Sequence, residues 1–566
     1  MDMSSAVKLK NSGTEVPIDN HFKLYAGPGA GKTSFLVNHV KRILAQSDRL
    51  AKSRKIACIT YTNIGVDTLK IKLDEATTDV EISTIHSFLY KHIVQPYLWK
   101  LKDCPFPIDK LNGHDEIRLR ISQLRAYKTK SGQNYIADNS NIELENALRR
   151  ITWKLIENNL ELGFIKIYDG KVNGRNLKNT SYSIYKEICW EEGNLSHDDV
   201  LYFSYLLLKQ EKRIREIVRA KFPYILIDEF QDTSPLQAEI IKLIVEKESI
   251  LGVIGDPCQA IFSFQGTDEK LFDDFSISGM QLYVINDNRR STEQIINVLN
   301  HMREGRDFKQ KSPNNKQGEK PVLLVGTPSQ AQNHLEKIID SSKVYTLAYK
   351  NDVVKSVEFN LDDELEEKVE IINEDKDRGW RIHFIIQAIE YGRQLKIPEA
   401  IRLMKKAYRK TDGFSDRDAF INLKRFLDEY KSYSDGNITN FNNTFISGKY
   451  DIKEKVSRGD IRILYDSLTY KQIAVSVKVT DDISSFKTIH KSKGDEFDNV
   501  LVIARAKNED ECVDFLLKPD MGKEGHRVYY VALSRARKRL YINVPSLSAS
   551  KYEDIEKLGI PIVPLH

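Results

Sequence analysis

The segment 26–33, AGPGAGKT, constrains the fold of this chain more than any other stretch of its sequence. The apolar run 22–26 precedes it, and apolar residues at helical spacing follow it. A glycine-rich turn between a strand and a helix allows backbone N–H groups to surround a phosphate, and the helix N-terminus adds a favourable dipole. In such a loop Lys32 reaches the β- and γ-phosphates of a nucleotide, and the Thr33 hydroxyl binds Mg²⁺. The segment therefore predicts an α/β core that binds nucleotide phosphates.

Short apolar runs that alternate with helical patterns extend this prediction to a parallel sheet. A second α/β pattern begins near Pro321 and resumes between 486 and 503, and two intervening segments, 90–200 and 360–470, look mainly helical. We expect an α/β fold with two parallel-sheet cores, each carrying an inserted helical subdomain. The candidate strands of the first core are the continuous apolar runs 22–26, 55–60, 224–227 and 250–254.

The composition is that of a globular protein too long for one hydrophobic core. Its 566 residues suggest two to four domains of roughly 100–200 residues each. The net charge of +5 permits a nucleic-acid partner without requiring one. Five cysteines without CxxC spacing, no signal peptide and no apolar run of membrane-spanning length favour a reducing, cytoplasmic location. We expect residues 1–20 to be loosely ordered, and His39 and His114 to lie on the surface.

Two adjacent carboxylates, Asp228 and Glu229, follow the apolar run 224–227. A carboxylate at the C-terminal end of a buried strand lies beside the phosphate loop in sheets of this kind. Asp228 would hold Mg²⁺, directly or through water, and Glu229 would orient or deprotonate the attacking water. A pair of acids is by itself also typical of a capping or solvated turn, but the phosphate loop upstream favours the catalytic interpretation.

The segment 228–232, DEFQD, resembles the second motif of the UvrD/Rep group of superfamily 1 DNA helicases. The other motifs of the group have counterparts in the same order, and a chance match of the whole ordered series is not credible. The chain is therefore identified as a member of this group by resemblance. The matching segments are 59–63 (ITYTN), 83–88 (STIHSF), 197–199 (HDD), 253–266 (VIGDPCQAIFSFQG), 288–292 (NRRST), 488–497 (TIHKSKGDEF) and 530–536 (YVALSRA).

The resemblance implies two RecA-like P-loop cores with parallel sheets, each with an inserted helical subdomain. The second insert is short, so we expect it to be a reduced form of its counterpart in the family. The implied domains are a first core at 1–89 and 201–284 with its insert at 90–200, and a second core at 285–360 and 481–566 with its insert at 361–480.

The resemblance also assigns a site for ATP and Mg²⁺. Arg290 and Arg535 would act as arginine fingers, Gln259 would sense the γ-phosphate, and Glu496 would hydrogen-bond the ribose. Either arginine alone would more often be a surface ion-pair residue. The expected catalytic residues are Lys32, Asp228, Glu229, Gln259, Arg290 and Arg535. The expected ATP contacts are Ala26, Gly27, Gly29, Ala30, Gly31, Lys32, Thr33, Ser34, Arg290, Glu496 and Arg535, and the expected Mg²⁺ ligands are Thr33 and Asp228.

Binding of single-stranded DNA requires aromatic platforms, on which each base stacks with about 1–3 kcal/mol and little sequence preference. Phe264 is the foremost stacking candidate, although core packing is the alternative for each aromatic residue of the set. His490 equally suits a structural histidine. By resemblance, the expected DNA contacts are Tyr61, Thr62, Asn63, Thr84, His86, Phe262, Phe264 and His490.

Several departures from the family pattern affect these expectations. Residues 1–25 contain no glutamine, whereas the family uses an N-terminal glutamine to read adenine. Arg289 replaces a tyrosine that stacks on adenine, and Gln265 stands where arginine is common. The short second insert lacks a glycine-rich signature, so the sequence favours ATP hydrolysis more strongly than strand separation.

The sequence leaves two functional readings. The first is an ATP-dependent 3′–5′ single-stranded DNA translocase or helicase in DNA repair or anti-phage defence. The alternative is a nucleotide- and DNA-gated sensor, with little unwinding, that regulates a defence nuclease complex. About thirty residues follow the sixth motif, too few for a fused nuclease, so we expect any nuclease to act in trans. The chain resembles in this the helicase subunit of the Gabija anti-phage system. The motif order opposes a P-loop kinase or GTPase, and an RNA substrate stays open.

Overall fold

The computed structural model describes residues 5–565 of the chain with short gaps. The residues outside the description are 1–4, 51–52, 116, 118, 165–167, 169, 246–247, 264–265, 269, 306–307, 340–342, 362–370, 372–374, 376–377, 410, 450–451, 453–454, 478–483, 507 and 566. Within the described residues, no helix combines the length and the apolar character needed to cross a membrane.

Seventeen strands occur in the described part of the chain. They are β1 (Val7–Leu9), β2 (Phe22–Ala26), β3 (Ile56–Thr60), β4 (Val80–Thr84), β5 (Ile151–Ile156), β6 (Asn159–Phe164), β7 (Lys171–Val172), β8 (Arg175–Asn176), β9 (Tyr224–Ile227), β10 (Ile250–Gly255), β11 (Gln281–Ile285), β12 (Val322–Val325), β13 (Val344–Ala348), β14 (Phe486–Thr488), β15 (Phe497–Ile503), β16 (Ala536–Val544) and β17 (Ile562–Pro564).

Along the chain, α-helices alternate with these strands or groups of strands. Their bounds are Lys32–Gln46, Asn63–Leu73, Ile85–Leu89, Gln95–Tyr97, Ile121–Lys130, Asn141–Leu148, Tyr182–Glu191, His197–Gln210, Lys212–Lys221, Pro235–Val245, Leu271–Asp274, Glu293–Met302, Pro328–Ile338, Asn351–Glu358, Arg378–Arg393, Ile397–Ala407, Asp416–Asp428, Tyr430–Tyr433, Ile438–Asn440, Asp460–Ser467, Tyr470–Ser476, Asp514–Leu517, Glu524–Leu533 and Ala549–Lys557.

The first core is a seven-stranded parallel sheet with the order β1-β11-β2-β10-β9-β3-β4. Its central strands are buried along their whole length, because helices pack on both faces and create two hydrophobic clusters. This burial explains the continuous apolar runs that predicted the sheet. The predicted strands 22–26 and 224–227 are confirmed to the residue, and the predicted runs 55–60 and 250–254 each differ from the observed strand by one residue.

The second core is a six-stranded sheet with the order β14-β13-β15-β16-β12-β17, and all of its pairings are parallel. The predicted pattern near Pro321 corresponds to β12, and the predicted stretch 486–503 resolves into β14 and β15. The predicted fold class, with two RecA-like parallel-sheet cores, is therefore confirmed.

The chain divides into two compact units. The first unit contains 1–296, 303–316 and 520–527, and the second contains 297–302, 317–519 and 528–566. Residues 285–296 fall in the first unit: β11 ends at Ile285, and the Arg289 N–H donates to the Gly29 carbonyl oxygen.

The insert at 90–200 was predicted to be mainly helical, and its described residues contain more helix than strand, but the prediction left out two hairpins. It contains two antiparallel hairpins, β5–β6 and β7–β8, beside its helices. Glu157 and Asn158 occupy the first turn, and Asn173 and Gly174 the second, all with positive φ. Two consecutive positive φ angles define the type I′ turn that matches the twist of paired strands. Both inserts have hydrophobic clusters of their own.

Two further expectations are wrong. The N-terminal residues are not loosely ordered throughout, because β1 pairs in parallel with β11 and Leu9 is buried. His39 is buried rather than on the surface, at 3% exposure, between the rings of Phe22 and Phe35. This burial, and after it the neighbouring Arg42 charge, lowers the pKa of His39 to about 4. The imidazole is therefore a neutral core group at neutral pH.

Candidate nucleotide and DNA site

The phosphate loop joins β2 to the helix Lys32–Gln46, as the sequence predicted. Gly31 precedes the helix with a left-handed backbone, at a φ of 85°, which a residue with a side chain rarely adopts. Gly29 also has a positive φ, of 70°, and a Cβ atom there would collide with the Asn288 amide. The glycines therefore let the loop turn tightly and lie against a neighbouring segment, with its backbone N–H groups at the start of a helix.

Two segments beyond β11 hold the loop by its backbone. The Gln310 amide donates to the carbonyl oxygen of Pro28 at 2.9 Å, and the Arg289 N–H donates to that of Gly29 at 2.9 Å. The Asn288 side-chain oxygen accepts from the N–H groups of Arg290 and Ser291 at 3.0 and 3.1 Å. The motif at 288–292 thus lies against the phosphate loop, inside the first unit.

Lys32, Asp228 and Glu229 come together at the C-terminal end of the central strands. The Lys32 ammonium lies 3.8 Å from a Glu229 carboxylate oxygen, and Asp228 is 7% exposed. Burial, and after it the Glu229 charge, raises the pKa of Asp228 to about 7, while Lys32 acts in the opposite direction. Glu229 has a left-handed backbone, with a φ of 52°, and its N–H donates to the Asp228 carboxylate.

The donor set suits Mg²⁺. Mg²⁺ prefers oxygen ligands and is commonly held by one or two protein oxygens together with the phosphates of a nucleotide. Thr33 is a partly exposed residue in the first turn of the helix, and Asp228 supplies a buried carboxylate whose ionised form a cation would stabilise. Within the described residues, no group of three or more His, Cys, Asp or Glu side chains is placed to hold a metal without such help.

A chain of hydrogen bonds links the two carboxylates to Gln259. The Gln231 amide donates to Glu229 at 2.5 Å, and its oxygen accepts from the Asp256 N–H at 3.1 Å. The Asp256 carboxylate in turn accepts from the Gln259 side-chain amide at 2.8 Å. The third motif, which begins at the end of β10, is therefore tied to the second motif at the end of β9.

A cavity of about 250 Å³ lies between the N-terminal turn and the helix that follows the phosphate loop. The Ser12 hydroxyl lies close to Gly31, at 2.8 Å from where a Cβ atom would stand. The turn occupies the part of the sequence in which the glutamine of the family is missing. The polar residues that line the cavity include Ser12, Thr14, Asn38, Lys41 and Arg42.

The structure places the remaining expected nucleotide-binding residues in both units. Arg290 is partly exposed beside Gly29, in the first unit. Arg535 and Glu496 belong to the second unit. Arg535 is buried, and its guanidinium donates to the carbonyl oxygens of Val531 and Asp495 at 3.1 and 3.2 Å. Glu496 is exposed. The roles of these residues stay predictions.

Five of the expected DNA contacts lie near the C-terminal ends of β3 and β4, namely Tyr61, Thr62, Asn63, Thr84 and His86. Thr62 and Thr84 each cap a following helix through the side-chain oxygen. Asn63 is exposed at the start of the helix Asn63–Leu73. The Tyr61 ring is stacked on that of Phe262, with 5.1 Å between centroids. Phe262 is buried, so this pair forms part of the loop packing.

His86 lies in a group of three histidines. Its ring is 5.4 Å from that of His197, whose Nδ1 lies 2.7 Å from Nδ1 of His114. Burial, and after it the charges of the two neighbours, holds the pKa of His86 well below its usual range. His490 lies in the second unit, 5.5 Å from the Tyr349 ring. Phe264 lies outside the described residues. The DNA roles of all these residues stay predictions.

Sequence reasoning missed several residues that position the site. Three of them lie inside the motifs quoted above, so the motifs could have indicated their role: Gln231, Asp256 and Asn288. Gln310 and Arg303 lie outside the motifs, and no local pattern marks them.

The parallel-sheet fold and the loop geometry define a P-loop nucleotide-binding protein with two RecA-like cores. Two family models match the chain: the UvrD/REP helicase N-terminal domain over residues 10–278 and the UvrD-like helicase C-terminal domain over residues 327–546. Because these matches cover most of its length, the chain belongs to the UvrD/Rep helicase family.

Individual relatives are similar to parts of the chain. A probable DNA helicase II homolog of Mycoplasma capricolum is 28% identical over 320 residues, which are 54% of this chain and 42% of the relative. The ATP-dependent DNA helicase srs2 of Schizosaccharomyces pombe is 29% identical over 52% of this chain and 34% of its own. The Gabija protein GajB of Bacillus cereus is 25% identical over 57% of this chain and 52% of its own. The matches thus span about half or less of each relative.

Proposed function

We propose that the protein is an ATP-dependent translocase or helicase that moves 3′ to 5′ on single-stranded DNA. The observation that carries the proposal is the group of Lys32, Asp228 and Glu229 beside the phosphate loop, at the C-terminal ends of β2 and β9. A phosphate loop alone would support nucleotide binding. The two carboxylates add the groups that a hydrolysing site needs.

In the proposed reaction, each residue acts on charge or on geometry. The phosphate loop and Lys32 bind the β- and γ-phosphates, and Thr33 and Asp228 hold Mg²⁺, which supplies neutralising charge when bound. Glu229 orients the attacking water and accepts its proton. Gln231 fixes the Glu229 carboxylate through their hydrogen bond. Arg290 and Arg535 would stabilise the charge that develops on the γ-phosphate.

DNA would bind along the ends of β3 and β4 and along the loop after β10. The exposed Thr62 and Asn63 suit contacts to phosphate and sugar, which position a strand without reading its sequence. The segment that follows β10 carries Gln259 near its start and Phe262 three residues later. Gln259 is linked to Glu229 through Asp256 and Gln231. A bound DNA strand that displaces the segment after β10 would therefore change the rate of ATP hydrolysis.

A second candidate function is a regulatory ATPase that gates a nuclease subunit in trans, with little unwinding. The similarity to the Gabija protein GajB favours it, because that match extends over a larger share of both chains than the DNA helicase II homolog or srs2 matches. DNA repair and anti-phage defence are the two settings that we propose.

The decisive experiment is ATP hydrolysis with and without single-stranded DNA, for the wild type and for Glu229→Gln. We expect strong stimulation by DNA, and a loss of turnover by several orders of magnitude in the variant with ATP still bound. Glu248→Gln makes the same chemical change at an exposed site and should behave as wild type. If Glu229→Gln hydrolysed ATP at the wild-type rate, Glu229 would not be the catalytic base.

Polarity and unwinding need separate assays. Displacement of streptavidin from biotin at the 5′ end, and not at the 3′ end, of an oligonucleotide would support 3′–5′ movement. DNA-stimulated hydrolysis without displacement from either end would favour the gated regulatory ATPase.

A further inference from the structure

Arg303 and Asp256 form a fully buried ion pair next to the nucleotide site. One guanidinium nitrogen of Arg303 lies 2.9 Å from Oδ1 of Asp256, a second lies 3.5 Å from Oδ2, and neither side chain is exposed. Arg303 follows the helix Glu293–Met302, and Asp256 follows β10. Both residues belong to the first unit. A buried pair of this kind holds its geometry strictly, because either charge alone would be poorly solvated.

Further contacts fix the Arg303 side chain in place. Its guanidinium donates to the Tyr25 hydroxyl at 2.5 Å and lies over the Phe308 ring, 4.2 Å from the centroid. Tyr25 is the residue before Ala26, where the phosphate loop begins. Arg303 therefore connects the strand that leads into the phosphate loop with the strand that leads into the third motif.

The Asp256 carboxylate, which Arg303 holds in place, also accepts a hydrogen bond from Gln259. Oδ2 accepts from the Gln259 side-chain amide at 2.8 Å, and Oδ1 accepts from the Cys258 N–H at 3.1 Å. An amide side chain has two orientations that exchange its oxygen and nitrogen, and a carboxylate partner selects one of them. The orientation of Gln259 is therefore set by a carboxylate whose own position is set by Arg303.

On the basis of the proposed function, we propose that Arg303 is a positioning residue for ATP hydrolysis, which acts through Asp256 to hold the Gln259 amide toward the γ-phosphate. Arg303 has no need to touch the nucleotide in this role. Without its bidentate partner, the Asp256 carboxylate would be free to rotate, and the Gln259 amide would lose its fixed acceptor. The γ-phosphate would then be bound less selectively, and the attacking water would be less well ordered.

The variant that tests the proposal is Arg303→Lys, which keeps the buried charge and loses the planar, two-pronged geometry. Removal of the charge altogether would leave Asp256 buried without its cation and would confuse folding with catalysis. Tyr25→Phe is a milder second variant, because it removes only the hydroxyl that accepts from Arg303. Arg219→Lys is the matched control: Arg219 is also a buried arginine of the first unit, and it donates to the carbonyl oxygens of Ile244 and Leu243.

Each substitution is made in the wild type and in Gln259→Ala, and kcat and KM for ATP are measured with saturating single-stranded DNA. In the wild-type background we expect Arg303→Lys to lower kcat on the order of 10- to 100-fold and to raise KM for ATP, because the γ-phosphate is bound less tightly. In the Gln259→Ala background it should cause no further loss, because the residue through which it acts is gone. Tyr25→Phe should show the same pattern with a smaller loss, and Arg219→Lys should leave kcat unchanged.

Equal losses in both backgrounds would overturn the proposal, because a purely structural ion pair would act independently of Gln259. An unchanged kcat in Arg303→Lys would overturn it as well. A second readout does not depend on turnover: the ratio of the dissociation constants for ADP and a non-hydrolysable ATP analogue. Arg303→Lys should reduce this preference for the γ-phosphate to the value of Gln259→Ala. If the wild type hydrolyses no ATP, the proposed function fails, and this ratio still decides the role of Arg303.

Discussion

At the scale of single residues, the site is a balance of buried charges. Asp228 has a pKa raised to about 7 by its burial and by Glu229, whereas the unfolded chain has an ordinary carboxyl at this position. Between about pH 4 and pH 7, the folded protein therefore holds a proton that the unfolded chain has released. The stability of the Mg²⁺-free protein consequently falls as the pH rises through this window.

Asp228→Asn tests this balance. The substitution removes the titrating group, so we expect the Mg²⁺-free variant to lose less stability than the wild type between pH 5 and pH 8. The difference should be at least about 1.4 kcal/mol, which corresponds to one pKa unit. Urea unfolding at the two pH values measures it. Identical pH dependence in both proteins would mean that Asp228 is already ionised at pH 5. The variant should also lose Mg²⁺-dependent hydrolysis.

Gly29→Ala tests the close approach of the phosphate loop to Asn288. The added methyl group would meet the Asn288 amide at a position whose φ is positive, so the loop must shift. We expect ATP affinity to fall at least tenfold, with the protein still folded, as measured by titration with a fluorescent ATP analogue. Gly279→Ala is a suitable control, because Gly279 has a similar φ and nothing lies within 4 Å of its Cβ position. Equal affinity in both variants would show that the contact with Asn288 is unimportant.

At the scale of elements, the sequence predicted the continuous buried strands and missed short strands and long-range side-chain contacts. The strands β2 and β9 were found because their residues form uninterrupted apolar runs. β1 was missed because three residues, one of them lysine, give no usable period, and only its pairing with β11 defines it. Arg303 could not be assigned from its neighbours, because its contact with Tyr25 joins residues 278 positions apart.

The two hairpins of the first insert show a different reason for failure. The Asn173-Gly174 pair is the preferred sequence for a type I′ turn and was an available signal. The turn at Glu157-Asn158 carries a glutamate where asparagine is favoured, which weakens the signal. At this turn the structure of the hairpin overrides the local preference of the residue, at some cost in stability.

Glu157→Asn tests this cost. Asparagine tolerates a positive φ better than glutamate, so we expect the variant to be stabilised by about 0.5–1 kcal/mol. The measurement is the thermal unfolding of the transition that includes the insert. Glu161→Asn is the matched control on β6, where the same change replaces a strand residue and should give no gain. A stabilisation of equal size in both variants would point to charge rather than to the turn.

At the scale of the whole molecule, two units and two inserts with separate hydrophobic clusters argue against a single unfolding transition. We expect calorimetry to resolve at least two transitions. A non-hydrolysable ATP analogue with Mg²⁺, at 100 times its dissociation constant, should stabilise the unit that contains the phosphate loop by about 2.7 kcal/mol. Lys32→Ala should abolish this shift. A shift that survives the substitution would place the nucleotide elsewhere.

The interleaved order of the first sheet has a consequence for synthesis on the ribosome. β11 lies between β1 and β2, and the phosphate loop also relies on Asn288 and Gln310. At ordinary translation rates, roughly 15–60 s separate the emergence of the loop from that of Gln310. Residues 520–527 join the same unit later still. For most of that interval β2 lacks both of its neighbours, β10 and β11, so we expect the nascent protein to be a client for chaperones before it can bind a nucleotide.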